Sequence, residues 1–158
     1  VRSVIEQVLV NLPATLEKRI LMTTADRPQV SRMAKAYGCE IVLIESTGMG
    51  DRIAAGVTAC AQLEGWLMVL GDMPFILPSS IEQVVANIAD DCISVPVQEG
   101  EYGHPVGFGR SFGPGLMALA GDRGAKALFA QGRVVEVTVD DPGVLWDVDV
   151  PEKLAFGP

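Results

Sequence analysis

The sequence has little of what disulfide frameworks and zinc sites require. Its three cysteines, Cys39, Cys60 and Cys92, include no CxxC pair, and an odd number cannot all be paired within one chain. We therefore predict buried free thiols in a reducing, cytoplasmic environment.

Long apolar runs and basic stripes are also missing. The longest apolar runs, such as residues 66–70, are far shorter than the ~20 residues that cross a bilayer, so we predict no membrane span. No basic region followed by an apolar stretch opens the chain, which argues against a secretion signal. The net charge is -8, whereas a nucleic-acid surface needs clustered lysine and arginine, so we predict no nucleic-acid partner.

What remains is typical of one globular domain. The 158 residues are 49% hydrophobic and 20% charged, and no repeat or linker divides residues 1–158. Alternating strand and helix patterns predict an α/β protein with three α/β/α layers and a Rossmann-like, mixed but mostly parallel sheet. Residues 66–70 are apolar at every position, which predicts a central parallel strand. Residues 105–108 follow a short polar turn and should return antiparallel to residues 92–97.

Asp72 is the first candidate for chemistry. It lies in Gly71-Asp72-Met73-Pro74, directly after the predicted central strand. Ligands of open α/β sheets gather beyond the carboxyl ends of strands, and Gly71 permits a sharp turn there. An aspartate bonding its own backbone in a turn is an equally good interpretation of this position.

A second acidic cluster is Asp147-Val148-Asp149, within an extended segment predicted over residues 145–150. Side chains two residues apart in an extended chain point the same way, so the two carboxylates can hold Mg²⁺ together with substrate phosphates. Taken alone, the segment favours helix capping by Asp149, with Asp147 merely exposed.

Three glycine-containing turns complete the candidates. Gly48-Met49-Gly50 precedes a helix, so its amides can meet an anion or a base edge, or it can be a simple capped turn. His104, the only histidine, lies between Gly103 and Pro105, where small neighbours permit close ligand approach, although an isolated histidine is more often structural. The turn at residues 121–124 contains Asp122 and Arg123.

Together these segments resemble the molybdenum cofactor cytidylyltransferases of the molybdopterin nucleotidyltransferase family, which are MobA-like NTP transferases. The matching pieces occur in family order and cover essentially the whole chain. Gly-Asp-Met-Pro alone is shared with related sugar nucleotidyltransferases, and the companion segments make the resemblance specific. The pieces are residues 48–50, 71–74, 103–108, 121–125 and 147–151.

The resemblance implies transfer of CMP from CTP to molybdopterin, with release of pyrophosphate. It implies that Asp72 and Asp149 are the catalytic, Mg²⁺-binding carboxylates. Residues 48–50, with Gly71 and Asp72, would bind the nucleotide. Residues 103–105, with Asp122 and Arg123, would contact molybdopterin, and a molybdoenzyme would receive the product.

The resemblance also leaves questions open. Family members begin with a strand and a glycine-rich phosphate loop, whereas Val1 stands where the following helix should start, so we expect that an upstream element is missing from this sequence. A chain naturally without that loop would instead be a non-catalytic cofactor-binding module. Use of GTP, or of another small-molecule acceptor, is the alternative within the enzyme class. Val150 replaces the usual threonine of the family.

Overall fold

The computed structural model describes residues 2–45 and 48–148. Helices and strands alternate as the sequence predicts until the fourth strand, after which short strands and 3₁₀ turns follow. The 3₁₀ helices span Arg110–Phe112, Ala125–Gln131 and Pro142–Leu145. The α-helices and strands are α1 (Val4–Asn11), β1 (Ile20–Thr23), α2 (Pro28–Ala36), β2 (Glu40–Leu43), α3 (Met49–Ala59), β3 (Gly65–Met68), α4 (Pro78–Ala86), β4 (Cys92–Gln98), β5 (Glu101–Tyr102), β6 (Val106–Gly109), α5 (Gly113–Met117) and β7 (Arg133–Thr138).

Local sequence signals set several helix boundaries. Ser3 caps α1, because its hydroxyl oxygen accepts the amide hydrogen of Glu6. Pro28 and Pro78 occupy the first positions of α2 and α4, where a missing amide hydrogen costs nothing. Gly38 follows α2 with a φ of 83°, a left-handed conformation that glycine adopts without strain.

The strands form two sheets. β1 and β2 pair in parallel, with Ile20 opposite Glu40. The larger sheet has five strands in the order β3-β6-β4-β5, and β7 also pairs with β4. In this sheet β6 is antiparallel to β3 and β4, β5 is antiparallel to β4, and β7 is parallel to β4.

The prediction of a mostly parallel sheet is therefore wrong for the larger sheet, although the mixed α/β class is confirmed. Residues 105–108 were expected to return antiparallel, and β6 does so. β6 inserts between β3 and β4. As a result, β3 pairs antiparallel with β6 and has no parallel neighbour among the described residues. Hydrophobic patterning does not report which strand lies alongside which.

Helices cover both faces of the five-stranded sheet. Ile93 and Val95 of β4 pack with α3 and α5 on one face. On the other face, the hydroxyl of Ser94 donates to the carbonyl of Val84 in α4 at 2.8 Å. Consecutive β4 residues thus point to opposite layers, as the strand period requires. A second apolar cluster lies on the α4 side and contains Met73, Ile76, Ile81 and Val144.

An apolar cavity of about 360 Å³ separates the two sheets. Its lining includes Ile5 of α1, Leu21 of β1, Val57 of α3 and Trp66 of β3. Within the described chain, β1 pairs only with β2 and β3 pairs only with β6. The two strand edges that face this region therefore have no strand partner among the described residues.

At the end of the described chain, the structure differs from the predicted extended segment at Leu145. Residues 142–145 form a 3₁₀ helix, and extended backbone begins at Trp146. Asp149, Val150 and the helix predicted from Pro151 lie outside the described residues. Of the helices in residues 2–45 and 48–148, none combines the length and apolarity that a bilayer span requires.

Candidate functional site

The topology gathers several connections at one edge of the five-stranded sheet. β3 and β4 run in the same direction, because each is antiparallel to β6, and β7 is parallel to β4. The carboxyl ends of these three strands and the amino end of β6 therefore lie at the same edge. In open α/β sheets this is the edge where ligands bind.

The loop that carries Asp72 leaves β3 at this edge and rests on α1. The side-chain amide of Asn11 donates to the carbonyl oxygen of Pro74 at 2.9 Å. A Cβ atom at Gly71 would lie 2.8 Å from the terminal methyl carbon of Ile5, so a bulkier residue there would require the Ile5 side chain to move. The carboxylate of Asp72 is half-buried on this supported turn.

The terminal acidic segment lies beside this loop. The amide of Val148 donates to the carbonyl oxygen of Asp72 at 2.6 Å, and the neighbouring Asp147 is half-buried. Two motifs more than seventy residues apart in sequence are therefore joined by a backbone hydrogen bond. Asp149, the second predicted metal ligand, is outside the described residues, so its position stays a prediction.

His104 reaches the same edge from the turn before β6. Its amide donates to the carbonyl of Val144 at 2.9 Å, and the amide of Gly103 donates to that of Pro96 at 2.9 Å. A Cβ atom at Gly103 would overlap the Val144 carbonyl. Glycine is required there by this backbone contact, and Pro105 beyond it is fully buried.

The electrostatic environment of His104 links it to Asp72. Burial lowers the pKa of the imidazole below its usual value, and the negative charge of Asp72 partly opposes that shift. The ring atom Nδ1 is buried and has no hydrogen-bond partner among the described residues. A neutral imidazole has one donor and one acceptor nitrogen, so Nδ1 keeps an unused hydrogen-bonding capacity in this arrangement.

The other two predicted loops contact each other. The amides of Gly50 and Asp51 both donate to the carbonyl of Gly121, at 2.8 and 3.3 Å. In return, the amide of Gly121 donates to the Asp51 carboxylate at 2.9 Å. Cβ atoms at Gly48 and Gly50 would overlap the backbone of residues 120–123.

Glycine is needed at positions 48 and 50 because the backbone of one loop packs directly on the backbone of the other. Gly48 is the N-cap residue of α3, and the Asp51 carboxylate bonds across to residue 121. Two amides of the helix start are thereby occupied, while Met49, Asp122 and Arg123 remain exposed. The roles of this pair in nucleotide and acceptor binding stay predictions.

The carboxylates near this sheet edge are of the kind that could hold the predicted Mg²⁺ ion. The part of the chain that is described holds no group of three or more His, Cys, Asp or Glu side chains able to bind a metal. Mg²⁺ in nucleotide enzymes usually takes only one or two protein carboxylates and completes its shell with phosphates and water. A single half-buried carboxylate such as Asp72, with one more from the adjacent segment, suits that kind of ion.

Asp141 is a residue at this edge that the sequence interpretation missed. It is only 2% exposed, and its carboxylate accepts hydrogen bonds from the amide of Leu77 and the hydroxyl of Ser80, at 2.9 and 2.7 Å. The sequence signal was an aspartate directly before Pro142 at the end of a strand, a common turn pattern. That pattern predicts a turn, and the burial follows only from the fold.

Comparison with solved structures finds the same fold in several proteins. Rv0371c from Mycobacterium tuberculosis H37Rv is 23% identical, with a TM-score of 0.79 over 96% of this chain and 82% of that one. Its manganese complex gives 24% identity and a TM-score of 0.77, over 96% and 84% of the two chains. The nucleotidyl transferase Mth528 from Methanothermobacter thermautotroptrophicus is 16% identical, with a TM-score of 0.79 over 96% of this chain and 77% of that one.

A more distant match is a cytidylyltransferase from Leptospira borgpetersenii, at 12% identity and a TM-score of 0.71, over 96% of this chain and 72% of that one. At these identities the likeness establishes the fold alone. Among curated proteins the comparison finds no match.

The sequence itself identifies the family. A profile described as the MobA-like NTP transferase domain matches residues 2–137, which is most of the chain and includes β3, the Asp72 loop and the His104 turn. The chain therefore belongs to the MobA-like NTP transferase family, within the nucleotidyltransferases.

Proposed function

We propose that this protein is a Mg²⁺-dependent cytidylyltransferase that transfers CMP from CTP to molybdopterin. The observation that carries the proposal is the convergence of three separated motifs at one sheet edge. Val148 is hydrogen-bonded to Asp72, and His104 lies within the electrostatic influence of that same aspartate. These are the motifs on which the resemblance to molybdenum cofactor cytidylyltransferases depends.

The reaction needs no covalent enzyme intermediate. An oxygen of the acceptor's terminal phosphate forms a bond to the α-phosphorus of CTP, and the bond from that phosphorus to the oxygen bridging to the β-phosphorus breaks. Pyrophosphate leaves with the bonding electron pair. Such transfers depend on positioning and on charge neutralisation more than on acid–base chemistry.

The proposed roles are those that the family resemblance implies. Asp72 and Asp149 would hold Mg²⁺, which supplies positive charge against the triphosphate when bound. The loop of residues 48–50 would contact the nucleotide. Residues 103–105 would contact the acceptor, with Asp122 and Arg123 on the acceptor side. The manganese complex of Rv0371c is consistent with a divalent ion in this fold.

The test is pyrophosphate release by the full-length protein incubated with molybdopterin, Mg²⁺ and each nucleoside triphosphate in turn. We expect release with CTP and none without molybdopterin. Release with GTP alone would replace the proposal by the GTP-using alternative. Absence of release with every nucleotide would favour the non-catalytic cofactor-binding module.

A matched pair of variants separates the site from the fold. Asp72→Asn removes the charge at the sheet edge, and Asp90→Asn removes the charge of an exposed aspartate just before β4, at the opposite edge. We expect the first variant to be inactive and the second to match the wild type. Equal activity in both would contradict the assignment of Asp72.

A further inference from the structure

We propose that Asp141 is a positioning residue that holds the Asp72 loop and the His104 turn in their mutual arrangement. The inference rests on the site roles proposed above for Asp72 and His104, and it does not depend on the identity of the nucleotide. It explains why a carboxylate is buried at an edge where no cation contacts it among the described residues.

The carboxylate of Asp141 accepts three hydrogen bonds. One oxygen accepts the amide of Leu77 and the hydroxyl of Ser80, and the other accepts the amide of Gly143 at 3.0 Å. A buried carboxylate is costly unless donors surround it. Three donors from two chain segments therefore fasten those segments to one side chain.

The first fastened segment is the end of the Asp72 loop. Leu77 and Ser80 form the start of α4, only five to eight residues after Asp72. The turn that follows Asp141 packs directly on this loop, because a Cβ atom at Gly143 would overlap the carbonyl of Phe75. The loop is thus held at its far end by Asp141 and along its length by backbone contact.

The second fastened segment leads to both candidate site residues. Val144 follows Gly143 in this segment, and its carbonyl accepts a hydrogen bond from the amide of His104. Four residues further on, Val148 donates its amide to the Asp72 carbonyl. One short stretch of chain anchored by Asp141 therefore bonds to the backbone of both His104 and Asp72.

Asp141 is itself tied to the centre of the sheet. Its amide donates to the side-chain oxygen of Gln98 at 2.6 Å, and Gln98 is buried at the carboxyl end of β4. β4 is the strand that pairs with β5, β6 and β7. The position of Asp141 is therefore set by the most constrained strand in the molecule.

Asparagine is the informative replacement at this position. Asp141→Asn keeps the size of the side chain, but it puts an amide group where a carboxylate oxygen accepted a donor. At least one of the Leu77, Ser80 and Gly143 donors then loses its acceptor inside the protein. We expect the segment to loosen locally, because the apolar packing around it is unchanged.

The test uses the ring NMR signals of His104, which are unambiguous because the chain has one histidine. At pH 8 the imidazole is neutral, and Asp72→Asn should shift its ring signals in the otherwise wild-type protein. In the Asp141→Asn background we expect the same substitution to produce a shift smaller by about half or more, as a loss of coupling between the two sites. An undiminished shift would overturn the proposal.

Ser94→Ala is the matched control. It also deletes a buried hydrogen bond, from the Ser94 hydroxyl to the Val84 carbonyl, on the α4 face of β4. We expect the full Asp72→Asn shift in this background. A reduced shift would mean that any loss of stability weakens the coupling, which would also overturn the proposal.

Ser80→Ala provides a milder variant if Asp141→Asn does not fold. It removes one of the three donors to Asp141 and leaves the carboxylate in place. A partial reduction of the shift supports the proposal, and no reduction contradicts it. No nucleotide, molybdopterin or metal is present, so the outcome is independent of whether pyrophosphate release is ever observed.

Discussion

The two sheets of this molecule differ in how completely they are closed. All seven residues of β4 are buried, and helices cover both faces of its sheet. In β1 only Thr23 is buried, and β2 has no buried residue. The difference shows that strand pattern and strand burial are separate properties, because both regions have apolar strands of similar appearance.

The number of neighbouring strands accounts for the difference in burial between the two sheets. β4 pairs with three strands, whereas β1 pairs with one strand within the described chain and borders a cavity of about 360 Å³. The candidate site belongs to the five-stranded sheet, because Asp72, His104 and Asp141 all lie at one edge of it. Gly71 lies at the boundary, since it both precedes Asp72 and lines the cavity.

The largest effect that we expect is on catalysis in the closed region. Asp72→Ala should lower turnover by about 10²–10³-fold or more, because charge stabilisation at a reacting phosphate is lost. Pyrophosphate release measures this loss, and circular dichroism checks that the fold is kept. Retained activity would show that Asp72 is not the catalytic carboxylate.

Core truncation compares the two regions directly. Ile93→Ala, at a fully buried position of β4, should lower the free energy of unfolding by about 2–5 kcal/mol. Leu21→Ala, at a half-buried position that lines the cavity, should cost about 1–2 kcal/mol, since less apolar area leaves contact with protein. Urea unfolding of both variants tests the ordering, and equal costs would remove the distinction between closed and open regions.

We expect His104 to make the free energy of unfolding depend on pH, with a smaller effect than the core truncations. Because burial lowers its pKa in the folded state, the neutral form is favoured on folding. The unfolded chain then binds more protons, so this contribution is complete above the ordinary pKa near 6.5 and is lost as the pH falls from there towards the folded pKa.

His104→Gln isolates that contribution. Between pH 7.5 and 5.5 we expect the variant to lose less stability than the wild type, measured by urea unfolding at each pH. In a second measurement, Asp72→Asn should lower the pKa of His104 further, because the charge that raises it is removed. An unchanged pKa by NMR titration would mean that Asp72 does not act on the imidazole.

The smallest effect should come from the surface of the open region. Lys18 and Glu40 form an ion pair at 3.2 Å beside β1 and β2, with both side chains partly exposed. Lys18→Ala should change the free energy of unfolding by less than about 1 kcal/mol, and the change should shrink in high salt. A larger cost would mean that the two-stranded sheet depends on this pair more than on its packing.

Some features of the fold and of the candidate site could be predicted from the sequence, and others could not. The Asp72 turn after a strand, the antiparallel return of residues 105–108 and the family membership all followed from residue types in order. The position of β3 did not, because an apolar strand packs equally well at several places in a sheet. The sequence predicts that the amides of residues 48–50 meet an anion or a base edge or form a capped turn, whereas the packing of Gly48 and Gly50 on residues 120–123 is visible only in the structure.

By itself, the sequence determined the α/β class, most helix and strand positions and the motifs that define the family, since these depend on local patterns of polarity and turn residues. Only the tertiary structure decided the position of β6 between β3 and β4, the cavity between the sheets and the burial of Asp141. Each of these depends on contacts between segments far apart in the chain, which no local pattern encodes.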